Sequence, residues 1–164
     1  MQTKFNIDAE KNLDILSKGA FLTAQDGVIF NTMTISWGAI GIMWGKPVFV
    51  ALVRGSRFTH GIIEKSNEFT VSLPAEDMRK ELDFCGRASG RDVTKFQAMS
   101  MNTVPSAKIQ TPRIDCKGAH HECKVLFKTD MSPANLDLEV KKEWYKTDDY
   151  HTFYFAEIVN TEVV

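Results

Sequence analysis

The chain has 164 residues, 43% of them hydrophobic and 25% charged, which suits a single domain (1–164) able to bury a core. A formal net charge of −1 excludes a protein built to coat nucleic acid or an anionic membrane, so any anion site must be local. No apolar run approaches the roughly 18 residues of a membrane helix, and the N-terminal MQTKFNIDAEKN lacks the apolar centre of a secretory signal. With three cysteines, Cys85, Cys116 and Cys123, that cannot all pair, the expectation is a reduced, cytoplasmic protein.

Gly19 to Gln25 reads as a strand, closed by Asp26-Gly27 as a two-residue hairpin signal, with Val28 to Thr34 returning. Ile35 to Trp44 predicts another strand, made irregular by Gly38 and Gly41. Gly45-Lys46 marks a turn, and Pro47 opens Val48 to Val53, apolar on both faces as in a strand at the centre of a sheet or barrel. Ser56 is the expected N-cap of a short helix that turns Phe58, Ile62 and Ile63 inward. Phe69, Val71 and Leu73 alternate with Glu68, Thr70 and Ser72, a strand with one buried face.

After Pro74, Met78, Leu82 and Cys85 at i, i+4 and i+7 predict a helix. Ser89-Gly90-Arg91-Asp92 has the S-x-x-D form of a capping box, opening a helix that buries Val93, Phe96 and Met99. Cys123, Val125 and Phe127 alternate with Glu122, Lys124 and Lys128 in a half-buried strand. Leu136 to Trp144 predicts a helix and His151 to Val159 an aromatic-rich closing strand. Many antiparallel-type strands with short helices between them predict a mainly β fold, a β-barrel with helical insertions, over a doubly wound α/β fold; a G-x-G-x-x-G fingerprint is absent.

Two places carry anion chemistry. Arg54-Gly55-Ser56-Arg57-Phe58-Thr59 puts two arginines and two hydroxyls where a strand hands over to a helix, whose free N–H groups suit phosphate or carboxylate. Ser89-Gly90-Arg91-Asp92-Val93-Thr94-Lys95 repeats the pattern, with Lys95 expected near Arg91 on the first turns of the helix. Taken singly, each is equally a capped surface helix with solvated cations; taken together they point to one phosphate ligand. Cys116-Lys117-Gly118-Ala119-His120-His121-Glu122-Cys123 has no zinc spacing, and adjacent residues on a strand point apart, so reduced structural thiols are the better reading and no metal is expected. No carboxylate pair or nucleophile elbow supports hydrolysis. Trp37 and Trp44, in a Gly-rich stretch, are candidates to wall a flat heterocycle.

Asn31-Thr32-Met33-Thr34-Ile35-Ser36-Trp37-Gly38, Gly45-Lys46-Pro47, Arg54-x-Ser56-Arg57-x-Thr59, Phe69-Thr70-Val71-Ser72-Leu73-Pro74 and Ser89-Gly90-Arg91-Asp92-Val93-x-Lys95-Phe96 occur in that order. As an ordered set, running from about Lys18 to Val159, they resemble the flavin reductase-like, FMN-binding split-barrel family, most closely its flavoredoxin-type members. The resemblance implies an antiparallel, Greek-key-like split barrel that forms a homodimer with FMN at or near the interface. It implies that Asn31, Thr32, Met33, Thr34, Ser36 and Trp37 contact the flavin and its ribityl chain. Arg54, Ser56, Arg57 and Thr59 would hold the phosphate, with Ser89, Gly90, Arg91 and Lys95 reaching it from the other side.

Many reductases of this family carry Gly-Asp-His before the last strand, the histidine lying near flavin and nicotinamide. Here the stretch is Asp149-Tyr150-His151, and the glycine usual further on is Ala156. His151 is carried over as a catalytic candidate, while the departure leans towards a carrier that passes electrons through FMN to a protein redox partner. An NADH- or NADPH-dependent flavin reductase is the alternative. From another class, the alternative is a non-enzymatic module for a different phosphorylated ligand or for haem.

Overall fold

A computed structural model describes residues 9–164; part of the N-terminal stretch judged unlike a secretory signal lies outside the described residues. The described chain opens with a helix that no periodicity had announced, α1 (Ala9–Lys18), burying Asn12 and Leu16. Gly19, at φ 132°, ends it and turns the chain into β1 (Ala20–Gln25). β1 returns as β2 (Phe30–Ile35), but Gln25 pairs with Phe30, so the expected two-residue hairpin is a four-residue loop closed by Asp26 N–H on Ile29 O. The predicted strand from Ile35 to Trp44 is also corrected: Ser36 and Trp37 leave the ladder, and β3 runs Gly38–Met43. Trp44 and Gly45, at φ 52° and 70°, form the tight turn into β4 (Lys46–Arg54), the paired positive angles that a two-residue hairpin demands.

The rest follows in the order α2 (Phe58–Ser66), β5 (Glu68–Pro74), α3 (Arg79–Arg87), α4 (Lys95–Ala98), β6 (Thr103–Val104), β7 (Arg113–Ile114), β8 (Gly118–Asp130), a 3-10 turn Pro133–Asn135, α5 (Leu138–Trp144) and β9 (His151–Val163). Seven strands form one antiparallel sheet, β2-β1-β5-β8-β9-β4-β3. Its two edge strands, β2 and β3, are neighbours in sequence, joined only through Ser36 and Trp37. Three residue steps span at most about 11 Å, so the sheet must curl until its edges almost meet. This is a barrel with a seam, and the seam lies at Trp37.

The barrel interior is filled by side chains such as Leu22, Phe49, Phe69, Val71, Tyr154 and Ile158. A second cluster, including Phe21, Leu82, Cys85, Phe96 and Ile114, packs α3, α4 and β7 on the outside of β1. That outer layer corrects the one-sided reading of β5: Thr70 and Ser72 are as buried as Phe69 and Val71, with Thr70 donating to Pro112 O and Ser72 accepting from Ile114 N–H. β8 departs from alternation too. Register shifts at Glu122/Cys123 and Val125/Phe127 leave Glu122 buried, where it accepts from the N–H groups of Ala107 and Lys108, and leave Phe127 exposed.

The helix starts are corrected as well. Arg57, not Ser56, occupies the N-cap position of α2, and no side chain caps it. Ser89 heads a turn rather than a capping box, its hydroxyl accepting from Arg91 N–H, and α4 begins only at Lys95 behind Thr94. α5 is capped by Asp137, which accepts from the N–H groups of Glu139 and Val140. Cys85, Cys116 and Cys123 are buried free thiols; burial pushes Cys85 up to about 11 and Cys116 up to about 12. His120 and His121 hold separate partners, Ser72 and Thr161, across different strands.

Candidate functional site

Two adjoining cavities open at the barrel seam. The first, of about 240 Å³, is lined by Asn31, Met33, Ser56, Phe58, Thr59, Ala88, Ser89, Gly90 and Asp149, by the cations Arg54, Arg57, Arg91 and Lys95, and by Arg87, whose guanidinium pairs with Asp83. The second, of about 200 Å³, is lined by Thr34, Ile35, Ser36, Trp37, Leu52, Trp144 and His151, and shares Met33, Arg54 and Arg57 with the first. The shared residues make the two a single site with a cationic arm and an aromatic arm. Every candidate residue except Thr32 and Trp44 lines one arm or the other; Thr32 is buried, bonded to Thr23 across β1 and β2, and only its carbonyl reaches the site's framework.

In the cationic arm the positive groups are held by neutral acceptors. Arg57 donates to Gly86 O at 2.7 Å, Arg91 to Ser56 O at 2.9 Å, and Arg54 to Trp144 O at 2.9 Å and to Asp149 O. Lys95 is buried and donates to Thr32 O at 2.9 Å and Cys85 O at 2.8 Å. The lysine therefore does not lie beside Arg91 on a solvated helix face, as the sequence suggested; it ties α4 to β2 and α3 beneath the cavity. Burial holds its ammonium down at about 8, with Arg57 adding to the effect and the Cys85 thiol opposing it. None of these four cations pairs with a carboxylate within 4.0 Å among the described residues. Four poorly compensated positive charges around one hollow attract an anion.

The local backbone is shaped for close approach. A Cβ at Gly90 would lie 2.5 Å from both Asn31 Oδ1 and Phe58 Cδ1, so only glycine lets the Ser89–Arg91 turn close over β2 and α2. Asn31 Nδ2 donates to Thr59 Oγ1 at 2.8 Å, which fixes one wall. Ser56 Oγ donates to Asp149 Oδ2 at 2.6 Å.

The aromatic arm is built from rings at right angles. Trp37 meets Trp144 edge-on at 4.9 Å and lies 5.2 Å from the His151 ring. His151 Nδ1 is 2.8 Å from the Tyr145 hydroxyl, and the Arg54 guanidinium lies over the Tyr145 ring at 5.0 Å. Burial first, and Arg54 second, push His151 down to about 4, so its imidazole is neutral near pH 7. Trp144 and Tyr145 escaped sequence reasoning because they lie at the end of a short helix, ninety residues or more from Arg54; only the aromatic density of the EWYK stretch hinted at them. Trp44, by contrast, does not wall the site. It stands exposed at the β3–β4 turn against Phe127 and Phe155.

With this geometry in hand, comparison with known proteins decides the family. The flavin reductase like domain family matches residues 17–164. The chain belongs to that family. An uncharacterised protein of Archaeoglobus fulgidus is 29% identical over 130 residues, covering 79% of this chain and 63% of that protein. The chain spans about three fifths of the length of the curated relatives it matches. Among solved structures, the flavoredoxin of Desulfovibrio vulgaris (Miyazaki F) superposes with a TM-score of 0.70 at 20% identity, over 89% of this chain and 69% of that one. The FMN-binding protein of Thermus thermophilus with bound p-hydroxybenzaldehyde gives 0.71 at 20%, over 89% and 71%. An NADH:FAD oxidoreductase of Streptomyces globisporus C-1027 gives 0.69 at 16%, over 89% and 75%. The flavin reductase-like fold is thus the split barrel seen here, open at the β2–β3 seam. No helix among the described residues is long and apolar enough to cross a membrane.

Proposed function

We propose that this flavin reductase-like chain binds FMN in the two-armed site and passes electrons or hydride through it, as a flavoredoxin-like carrier. The observation that carries this reading is the cationic arm: Arg54, Arg57, Arg91 and Lys95, none of them in an ion pair among the described residues, surround a hollow that holds one carboxylate, Asp149, and adjoins an aromatic slot. A ligand with a phosphate at one end and a flat ring at the other matches both arms. FMN, when bound, supplies a ring that accepts hydride or single electrons. Arg57 and Arg91 would bind the phosphate through charge-assisted hydrogen bonds, with Ser56, Thr59, Ser89 and Gly90 completing the oxygen shell. Thr34, Ser36 and Trp37 border the aromatic arm, where β2 has a free edge because it pairs only with β1 among the described strands. Trp37 and Trp144 would exclude water from the ring face, and neutral His151 would present a hydrogen-bonding group there without adding charge.

The reading extends to a cytoplasmic homodimer with FMN at or near the interface, using a protein redox partner. The deciding experiment is an absorption spectrum of the purified protein, followed by FMN titration and sedimentation. Tight FMN retention through gel filtration and a dimeric mass support the carrier; colourless protein that binds no added FMN sinks the flavin reading. An NADH- or NADPH-dependent flavin reductase is favoured by one observation, His151 in the wall of the aromatic arm. Rapid NADH or NADPH oxidation with free flavin in excess, and loss of FMN on gel filtration, would select it.

A further inference from the structure

Asp149 is the only carboxylate among the residues lining the cationic arm. It sits on the loop between α5 and β9, and its main-chain carbonyl is gripped by Arg54. Its side chain turns into the cavity: Oδ2 accepts from Ser56 Oγ at 2.6 Å, and Oδ1 lies 3.4 Å from Ser56 N–H. Those are an uncharged hydroxyl and an amide, although five cations line the same hollow: Arg54, Arg57, Arg91 and Lys95 donate instead to main-chain carbonyls, and Arg87 to Asp83. The carboxylate thus occupies the donors that an incoming phosphate oxygen would take, at the entrance to α2.

We propose that Asp149 is a built-in competitor for the phosphate seat. A phosphate takes Ser56 only when the Asp149 carboxylate leaves it, so Asp149 weakens the hold on phosphorylated ligands and keeps them exchangeable. This deepens the FMN reading and rests on it. Two anions cannot share one pair of neutral donors: the second adds like-charge repulsion and removes a charge-assisted hydrogen bond. Arg54, bonded to the neighbouring carbonyls of Trp144 and Asp149, anchors the loop that carries the competitor.

The test compares wild type with Asp149→Asn, which keeps an acceptor for Ser56 but loses the charge, and with Asp149→Ser as a smaller second variant. FMN, riboflavin and inorganic phosphate are titrated separately, by flavin fluorescence and calorimetry, with circular dichroism confirming the fold. The expected result is FMN and inorganic phosphate binding about tenfold tighter in both variants, with riboflavin, which has no phosphate, unchanged. Equal or weaker FMN and phosphate binding in the variants overturns the proposal, as does an equal gain for riboflavin. If wild type takes up neither flavin, the FMN reading fails on its own account. The phosphate titration then still decides the role of Asp149.

Discussion

Arg57 and Lys95 look equivalent in sequence as cations at two helix starts, yet the structure gives them different work. Arg57 makes one bond to Gly86 O and lines both arms, so Arg57→Ala should remove FMN binding while leaving the melting temperature almost unchanged. Lys95 satisfies two buried carbonyls. Lys95→Met should therefore weaken FMN binding and also cost about 2 kcal/mol of stability, because both acceptors lose their donor. Parallel flavin titration and thermal melts separate the two effects. A module built for an unrelated ligand would show the Lys95 loss of stability without any loss of flavin. His151 offers a spectroscopic check on the other arm. It should titrate near 4 by NMR, and Arg54→Met should raise that value, since removing a nearby cation favours the charged imidazole. The rise should stop short of the ordinary 6.5, because burial is the larger cause and persists.

Among the elements, the turn between α3 and α4 is where backbone freedom and function meet. Gly90→Ala would push a methyl into Asn31 and Phe58 at 2.5 Å, displacing the Asn31–Thr59 wall. We expect a loss of FMN affinity beyond tenfold and a cost of about 1–3 kcal/mol, read by titration and denaturant unfolding. Gly61→Ala is the control: it lies within α2 with nothing within 4 Å, and should stabilise by about 0.5–1 kcal/mol. The same turn shows what the residue pattern could and could not convey. The run Ser89 to Lys95 announced an anion site because residue types carry chemistry wherever they fall. It also suggested a capping box, which the chain does not build, because a local signature cannot tell a turn closed over β2 from a helix start. β4 was legible, being apolar on both faces and flanked by β3 and β9. β5 was misread as half-exposed because its cover, the Pro112–Ile114 segment that includes β7, comes later in the chain. Glu122 and Phe127 were placed on the wrong faces because register shifts in β8 reverse the alternation. α1 went unnoticed since its buried face is only Asn12 and Leu16.

For the whole molecule, two buried histidines, one on the central strand β8 and one at the site, are easier to ionise in the unfolded chain. His121 is buried in the barrel wall, its Nε2 without a partner among the described residues, and burial followed by the neighbouring His120 pushes it down to about 4. His151, at the site, is likewise about 4. Unfolded, both would take up a proton near 6.5. Below that pH the unfolded state therefore binds more protons than the native state, and stability falls as pH drops towards 4; above 6.5 both groups are neutral in either state and contribute no slope. The histidine contribution to the denaturant midpoints should accordingly be flat from pH 8 to 7 and decline steadily between about 6.5 and 4, while Lys95, near 8 when folded and 10.5 when unfolded, lowers the midpoints as pH falls towards 8 and just below it. His121→Phe, which cannot be protonated, should remove about half of that decline. On the proposed function, FMN at saturating concentration should raise the midpoints at every pH, since a ligand of the folded barrel alone stabilises it. A midpoint profile that is unchanged in His121→Phe would show that His121 does not carry the acid sensitivity.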